Sequence, residues 1–557
     1  MRWFTKRSKK VRELDPDEIF LDASNVSELD RERFEGRLEK PLAASVFIGT
    51  GIIIALVTLG LVVKGFSLEV IHGETFAAKS ERNRLRPEVI FAKRGALLDR
   101  NGVVLAANRV DEEKGMVREY KTPGFGHVIG YVSYPKKDSS GNYYDTEVTG
   151  LAGAEAAFND TLAGKNGRLL IEEDARGAIQ SQGIVEAPED GKSVTLSIDA
   201  RAQEAFYNSI HELADRIPFQ GGAAVLMDIY SGEVRALVSY PEYDPNVLSH
   251  GEERDTIAGY TTNTRTPYLN RAIGGLYAPG SIVKTVVAAG ALTDGVISPE
   301  KIIVSTGKLV IPNPYNPDQP TIFPDWKPLG PMNTRSALAW SSDVYFYTVG
   351  GGFGDQKGLG IDRLVHWYQS FGYGRATGIE LPGENTGFIP TPTWKEDRLK
   401  EPWRIGNTYH TSIGQYAMQV TVIEAAQAVA AIANNGLLVK PTIIKDAPLV
   451  GESIVVSADA LQVVREGMRQ AVTEGTGSGL NTLSSFVKLG AKTGTAQVGA
   501  NNEFTNAWLI GFFPYEKPKY AFAVLMDRGP GHNTIGGVYA TIQALTKLHQ
   551  TAPEYFE

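Results

Sequence analysis

At 557 residues the chain is too long for one compact core, so two or three globular units are expected. Hydrophobic residues at 42% and charged residues at 22% exclude large-scale disorder, and a net charge of -8 offers no basic field for gripping nucleic acid. The absence of cysteine removes disulfides, thiolate metal sites and a cysteine nucleophile, and none of the eight histidines falls in an HExxH pattern, so no metal or cofactor is expected.

Residues 1–40 hold ten Lys and Arg together with ten acidic residues and read as a flexible tail, in which Ser27 to Lys40 could form a surface helix. Leu42 to Val63 follows as 22 residues without a charge, ending at Lys64. That run is long enough to cross a hydrocarbon core of roughly 30 Å, so residues 41–64 are expected to be a single transmembrane helix. A cleaved signal peptide fits poorly, because the apolar run starts 41 residues in and lacks a convincing cleavage site. After Lys64 the next Lys or Arg is Lys79. The positive-inside rule therefore puts the N-terminus in the cytoplasm and everything after residue 65 outside the cytoplasmic membrane.

Residues 65–215 mix short strand-like runs with turns, such as Gly102–Leu105 after Arg100-Asn101 and Arg168–Glu172 after a Gly-Lys-Asn-Gly turn. Few candidate catalytic groups cluster there, which suits a supporting domain. A second unit, residues 216–557, opens with a strand at Ala223–Asp228, a turn at Tyr230–Gly232 and a hairpin partner at Glu233–Val238. Helical patterns follow at 281–294, 333–349, 361–370 and 419–434. Strands are expected again at Phe486–Leu489, Ala507–Phe512 and Tyr520–Met526. Strands at both ends with helices between predict an α+β domain whose antiparallel sheet is closed by distant segments.

Ser-x-x-Lys occurs five times, starting at Ser133, Ser281, Ser298, Ser305 and Ser485. Only Ser281 follows a Pro-Gly turn and opens an apolar helical run, which places Lys284 one turn further on the same face. A serine hydroxyl needs a nearby base, and a lysine serves only when neutral, a state favoured by burial and by a second cation. The helix start also offers the backbone N–H of Ser281 to a developing oxyanion. Lys492-Thr493-Gly494 is the one Lys-Thr-Gly in the chain and supplies the second cation on a strand suited to strand addition of a peptide. Ser341-Ser342-Asp343 lies in a helical stretch, where the plain reading is an N-cap. Each of these motifs is weak alone. Together and in this order they match the Ser-x-x-Lys, Ser-Asp-Asn and Lys-Thr-Gly signature of β-lactamases and penicillin-binding proteins.

From about residue 42 onward the sequence resembles the class B penicillin-binding proteins. The stretches that carry the likeness include Asn270-Arg-Ala, Tyr277–Ser281, Ser341–Tyr347, Thr377–Glu384 and Lys492–Gln497 in the second unit. Arg94–Gly102 and Gly150–Glu155 carry it in the first. Ser412–Gln415 with Val420-Thr421, and Asp343 in place of Asn, resemble the elongation-type members, the penicillin-binding protein 2 group. The resemblance implies a pedestal (dimerisation-type) domain over 65–215 and a transpeptidase domain like that of penicillin-binding and serine β-lactamase enzymes over 216–557. It implies a peptidoglycan D,D-transpeptidase. Ser281 would be acylated by the penultimate D-alanine of a stem peptide, Lys284 would be the general base, and Ser341, oriented by Asp343, would relay a proton to the leaving amine. Lys492 and Thr493 would bind the substrate carboxylate, as they would a penicillin's, with Gly494 and Thr495 beside it. The N–H groups of Ser281 and Thr495 would form the oxyanion hole. An amine of a neighbouring stem peptide would resolve the acyl-enzyme. The partner implied is a membrane glycosyltransferase of the RodA/FtsW type, since no glycosyltransferase domain is present.

The chain departs from the family between Gly102 and His127, where about two dozen residues stand in place of a larger head subdomain. Two rival readings are a D,D-carboxypeptidase or β-lactamase, in which water replaces the amine, and a catalytically silent β-lactam sensor or scaffold.

Overall fold

The computed structural model describes residues 43–112, 115–173, 179–313, 316, 318–531, 533 and 535–557. The tail expected over residues 1–40, with its helix over 27–40, lies outside the described residues. Helix α1 (Ala44–Phe66) has 23 residues, roughly 34 Å at helical rise. None of it is buried, and Phe47, Ile53, Leu61 and Val63 all stand exposed. An apolar surface on every side, long enough for a bilayer, is what a membrane anchor requires.

Residues Pro87–Leu170 and Gln182–Glu557 form one compact unit, and α1 lies in another. Within the large unit the pedestal carries a four-stranded sheet made of β1 (Leu97–Leu98), β2 (Val104–Asp111), β3 (Gly115–Tyr120) and β4 (Val194–Thr195), in the order β4-β1-β2-β3. The hairpin β2–β3 fills the stretch between Gly102 and His127, pairing Ala106 with Tyr120 and Asp111 with Gly115. The two pedestal motifs meet in the core. Arg94 Nε lies 2.6 Å and Arg118 Nε 2.7 Å from the Glu155 carboxylate, and all three side chains are buried. Removing one member would strand a buried charge. Asp99, from the same stretch as Arg94, accepts the N–H groups of Asn101, Val103 and Ala200, and so ties that stretch to the start of the next helix.

That helix, α2 (Ala200–Arg216), is capped by Asp199. It precedes the expected start of the catalytic domain yet packs its apolar face on the catalytic sheet. The sheet begins with the hairpin β5 (Gly221–Asp228) and β6 (Val234–Tyr240), as expected. The helical layer follows, including α3 (Lys284–Thr293), α4 (Thr334–Ala339), α5 (Asp343–Gly351), α6 (Val422–Ala433) and α7 (Ala458–Thr473). Three more strands complete the sheet: β7 (Gly490–Val498), β8 (Phe504–Phe513) and β9 (Tyr520–Pro530). The order is β6-β5-β9-β8-β7, antiparallel throughout, so the N-terminal hairpin pairs with the last strand of the chain. Helix α8 (Gly537–Thr551) closes the domain.

Alternation along β5 explains why it is buried from Gly221 to Met227. Ala223, Val225 and Met227 face a core shared with α3 and α6, while Ala224 and Leu226 face one shared with α2 and α8.

Two expectations are corrected. The strand placed at Phe486–Leu489 begins only at Gly490, because Val487 and Leu489 are buried on the α2/α8 side and Phe486 stacks on His549. Lys492-Thr493-Gly494 therefore lies inside a strand rather than after one. The helix expected over 333–349 is broken between Ala339 and Asp343, and the break is what builds the site.

Candidate active site

Ser281 sits in a 3-10 turn, Gly280–Val283, that leads directly into α3. The turn is clamped from two sides. Gly280 has φ +55 and donates its N–H to Gly414 O at 2.9 Å. A Cβ on Gly280 would come within 2.8 Å of Thr495 O, and one on Gly494 would meet Ile282 Cγ2 at 2.8 Å and Pro279 O at 3.0 Å. Glycine at both positions allows the turn and the rim strand β7 to touch backbone to backbone. Trp508 Nε1 adds a 2.9 Å bond to Ala278 O. Ser281 stays half-buried at the surface of this clamp.

Behind it lies a closed polar knot. The Lys284 side chain is fully buried and its Nζ donates to Asp343 Oδ1 at 2.6 Å, to Ser341 O at 2.8 Å and to Ser341 Oγ at 3.3 Å. Lys492, also fully buried, donates to Ser341 Oγ at 2.8 Å and to Thr493 O at 2.7 Å. Ser341 Oγ is thus shared by two buried lysines from segments more than 200 residues apart in sequence. Burial, and next the neighbouring Lys284 charge, push Lys492 well below the ordinary lysine range, with the Asp343 carboxylate opposing. A lysine held low in this way can exchange a proton with a hydroxyl 2.8 Å away.

Local sequence explains how Ser341 reaches this position. Helix α4 stops at Trp340, and α5 restarts with Ser342 as its N-cap, whose side chain accepts from Tyr345 N. The plain N-cap reading thus holds for Ser342 and leaves Ser341 free. Ser341 adopts φ +58, the left-handed region that a non-glycine residue occupies only when its surroundings hold it there. On the rim, β7 is the sheet's edge strand. Thr495 is exposed, and the Thr493 hydroxyl pairs with Thr476 Oγ1 at 2.6 Å. The site therefore brings together Ser281, Lys284, Ser341, Asp343, Lys492, Thr493, Gly494 and Thr495. Two neighbours carry no motif or periodicity: Thr476, which meets the Thr493 hydroxyl, and Asp325, whose carboxylate accepts the Ser342 hydroxyl at 2.7 Å and the Asp343 N–H at 3.0 Å.

Residues 222–544 match the family described as the penicillin binding protein transpeptidase domain, and residues 109–196 match the penicillin-binding protein dimerisation domain. The chain belongs to the penicillin-binding protein transpeptidase family. Among curated relatives, the peptidoglycan D,D-transpeptidase MrdA of Acinetobacter baumannii is 28% identical over 588 aligned positions, covering 87% of this chain and 84% of that protein. The alignment is longer than the chain itself, so that relative carries segments absent here. A solved complex between penicillin-binding protein 2 and MreC from Helicobacter pylori superposes with a TM-score of 0.70 at 25% identity, covering 84% of this chain and all of that one. A peptidoglycan synthase complex described as coordinating polymerization and crosslinking also gives a TM-score of 0.70, at 26% identity, covering 90% of this chain and 97% of that one. This penicillin-binding protein is of class B and of the penicillin-binding protein 2 type. It is a serine-type peptidoglycan D,D-transpeptidase of cell-wall synthesis.

Proposed function

We propose that Ser281 is the acylated residue and that the knot behind it moves the protons of two successive acyl transfers. Ser281 Oγ attacks the carbonyl of the penultimate D-alanine while Lys284 takes its proton. The oxyanion is received by the N–H groups of Ser281 and Thr495, where losing one donor costs roughly 10²–10³ in rate. The amide to the terminal D-alanine breaks, and Ser341, fed by Lys492 and oriented by Asp343, protonates the leaving amine. Thr493 and Thr495, with the Lys492 charge behind them, hold the substrate carboxylate on the rim of β7. An amine of a neighbouring stem peptide then attacks the acyl carbon, gives up its proton by the same route and frees Ser281. A penicillin would acylate Ser281 and stop there. The observation that carries this reading is the Ser341 hydroxyl shared by two buried lysines beside the clamped Gly280–Ser281 turn.

The reading extends to place and partners. α1 anchors the enzyme in the cytoplasmic membrane with the N-terminus inside and the catalytic domain outside, at work in wall elongation. The relatives' assemblies support a wall-synthesis partner, and a RodA/FtsW-type glycosyltransferase would supply the glycan strands.

The test uses the full chain in detergent with a fluorescent penicillin, comparing wild type with Ser281→Ala. Covalent label on the wild type that is lost in the variant is expected. A folded wild type that takes no label would overturn the assignment.

A further inference from the structure

Asp325 is a buried carboxylate 8% exposed, outside every motif. Its Oδ2 accepts the hydroxyls of Ser342 at 2.7 Å and Ser305 at 2.8 Å, and the N–H of Val344 at 3.2 Å. Its Oδ1 accepts the N–H groups of Asp343 and Trp326, both at 3.0 Å. The carboxylate therefore lies against the first turn of α5, where an anion meets unpaired N–H groups and the positive end of the helix. The next residue reaches the other side of Ser341, since Trp326 Nε1 donates to Trp340 O at 3.0 Å. Ser305, a serine of one of the discarded Ser-x-x-Lys matches, finds its use here as a donor to Asp325.

A strained residue keeps its conformation only when its neighbours over-determine it. Ser341 is held upstream by Ser341 N to Leu338 O at 3.3 Å, a long bond, and by Ser342 N to Ala337 O at 3.0 Å. Downstream, both the cap hydroxyl and the next two N–H groups end on one carboxylate. Hydrogen bonds to a charged acceptor are roughly twice as strong as neutral ones. The Asp343 carboxylate can meet Lys284 only if the Asp343 backbone stays where Asp325 holds it.

We propose that Asp325, assisted by Trp326, is the positioning residue that fixes the Trp340–Asp343 turn and so aims the Ser341 hydroxyl between the two lysines. Asp325 touches no substrate. The inference rests on the roles proposed above for Ser341 and Asp343, and it deepens them.

Asp325→Asn tests it, because the amide keeps the volume but turns one acceptor oxygen into a donor facing other donors. Stopped-flow mixing of the full chain in detergent with a fluorescent penicillin separates the dissociation constant of the non-covalent complex from the acylation rate constant. The expected result is an acylation rate lower by roughly 10²-fold, the scale of a misplaced catalytic group, with the dissociation constant within about threefold of wild type. An unchanged acylation rate in folded Asp325→Asn, or a loss that enters the dissociation constant alone, overturns the proposal. Should Asp325→Asn fail to fold, Ser305→Ala removes one donor outside the catalytic turn. A rate lower by roughly threefold or more is then expected, and an unchanged rate overturns the proposal. The wild type and Ser281→Ala run alongside keep the two ideas apart. Normal labelling of wild type, lost in Ser281→Ala, with Asp325→Asn as fast as wild type sinks only the positioning role, whereas an unlabelled wild type sinks the acylation reading itself.

Discussion

Lys492 and Ser341 are joined by a 2.8 Å hydrogen bond that neither residue could form from a regular helix or an open surface. Lys492 reaches it from inside the edge strand, and Ser341 reaches it because its backbone is turned to φ +58. Substitutions at Ser341 should therefore separate stability from activity. Ser341→Ala removes the shared acceptor and is expected to slow acylation by roughly 10²–10⁴-fold, the usual worth of a positioned proton relay. Ser341→Gly relieves the left-handed backbone, and should be more stable than Ser341→Ala by about 1 kcal/mol while just as slow. Thermal unfolding and penicillin labelling of the two variants side by side check both halves of this expectation.

Among the described residues, Asp343 supplies the one carboxylate bonded to the fully buried Lys284 Nζ, at 2.6 Å. Truncating it leaves that Nζ with neutral partners only, and losing one member of a buried pair costs about 3–5 kcal/mol. Asp343→Ala should lose stability on that scale. Asp343→Asn keeps an oxygen toward Lys284 and should lose less, in keeping with the Asn found in the family signature at this place. Denaturant unfolding orders the three proteins, and equal midpoints for Ala and Asn would contradict the argument.

The fold was readable wherever periodicity and turn chemistry agreed. The β5–β6 hairpin around Tyr230–Gly232 and the apolar helix after Ser281 stand where the residues suggested. The meeting of three short motifs from distant segments was readable from the triple, and Lys284 and Lys492 both reach Ser341 Oγ. The break at Trp340–Ser342 was only half readable, since Ser342 and Asp343 offered an N-cap but nothing between Asn333 and Val349 signalled that Ser341 would turn to φ +58. Phe486–Leu489 misled for a related reason. A short run with apolar residues at three of four positions, Phe486, Val487 and Leu489, looks alike whether it forms a strand or plugs a core. Asp325 and Thr476 were invisible because a single carboxylate or hydroxyl in a loop carries no pattern.

Gly494 should be intolerant of even one methyl group. A Cβ there meets Ile282 Cγ2 at 2.8 Å and Pro279 O at 3.0 Å, and the second of these is backbone leading into the Ser281 turn. Gly494→Ala must therefore push β7 and the Ser281 turn apart. We expect a stability loss of about 1–3 kcal/mol, typical of overpacking, and a fall in acylation rate of roughly 10²-fold from the displaced nucleophile. Gly479→Ala, whose Cβ finds only ordinary contacts at 3.4 Å and 3.7 Å, serves as the control and should change neither.

Glu424 gives a prediction with a definite sign. It is fully buried in the capping box of α6, accepting the N–H groups of Gly387 at 2.7 Å and Thr421 at 2.9 Å. Burial pushes its carboxyl up from 4.5 to about 7, although those N–H groups pull the other way and the Glu384 charge adds to the rise. Between pH 4.5 and about 7 the folded protein holds a proton here that the unfolded chain has released. The native state binds more protons, so this group's contribution to stability is complete below 4.5 and is lost as pH rises through about 7. A rise of this size corresponds to roughly 3 kcal/mol. Glu424→Gln cannot titrate, so its stability relative to wild type should improve steadily from pH 4.5 to 7.5 and then level off. The slope is diagnostic, because the amide's poorer fit to two N–H donors adds only an offset independent of pH. Unfolding midpoints of both proteins across that range check it, and parallel curves would mean that Glu424 is ionised in the folded protein throughout.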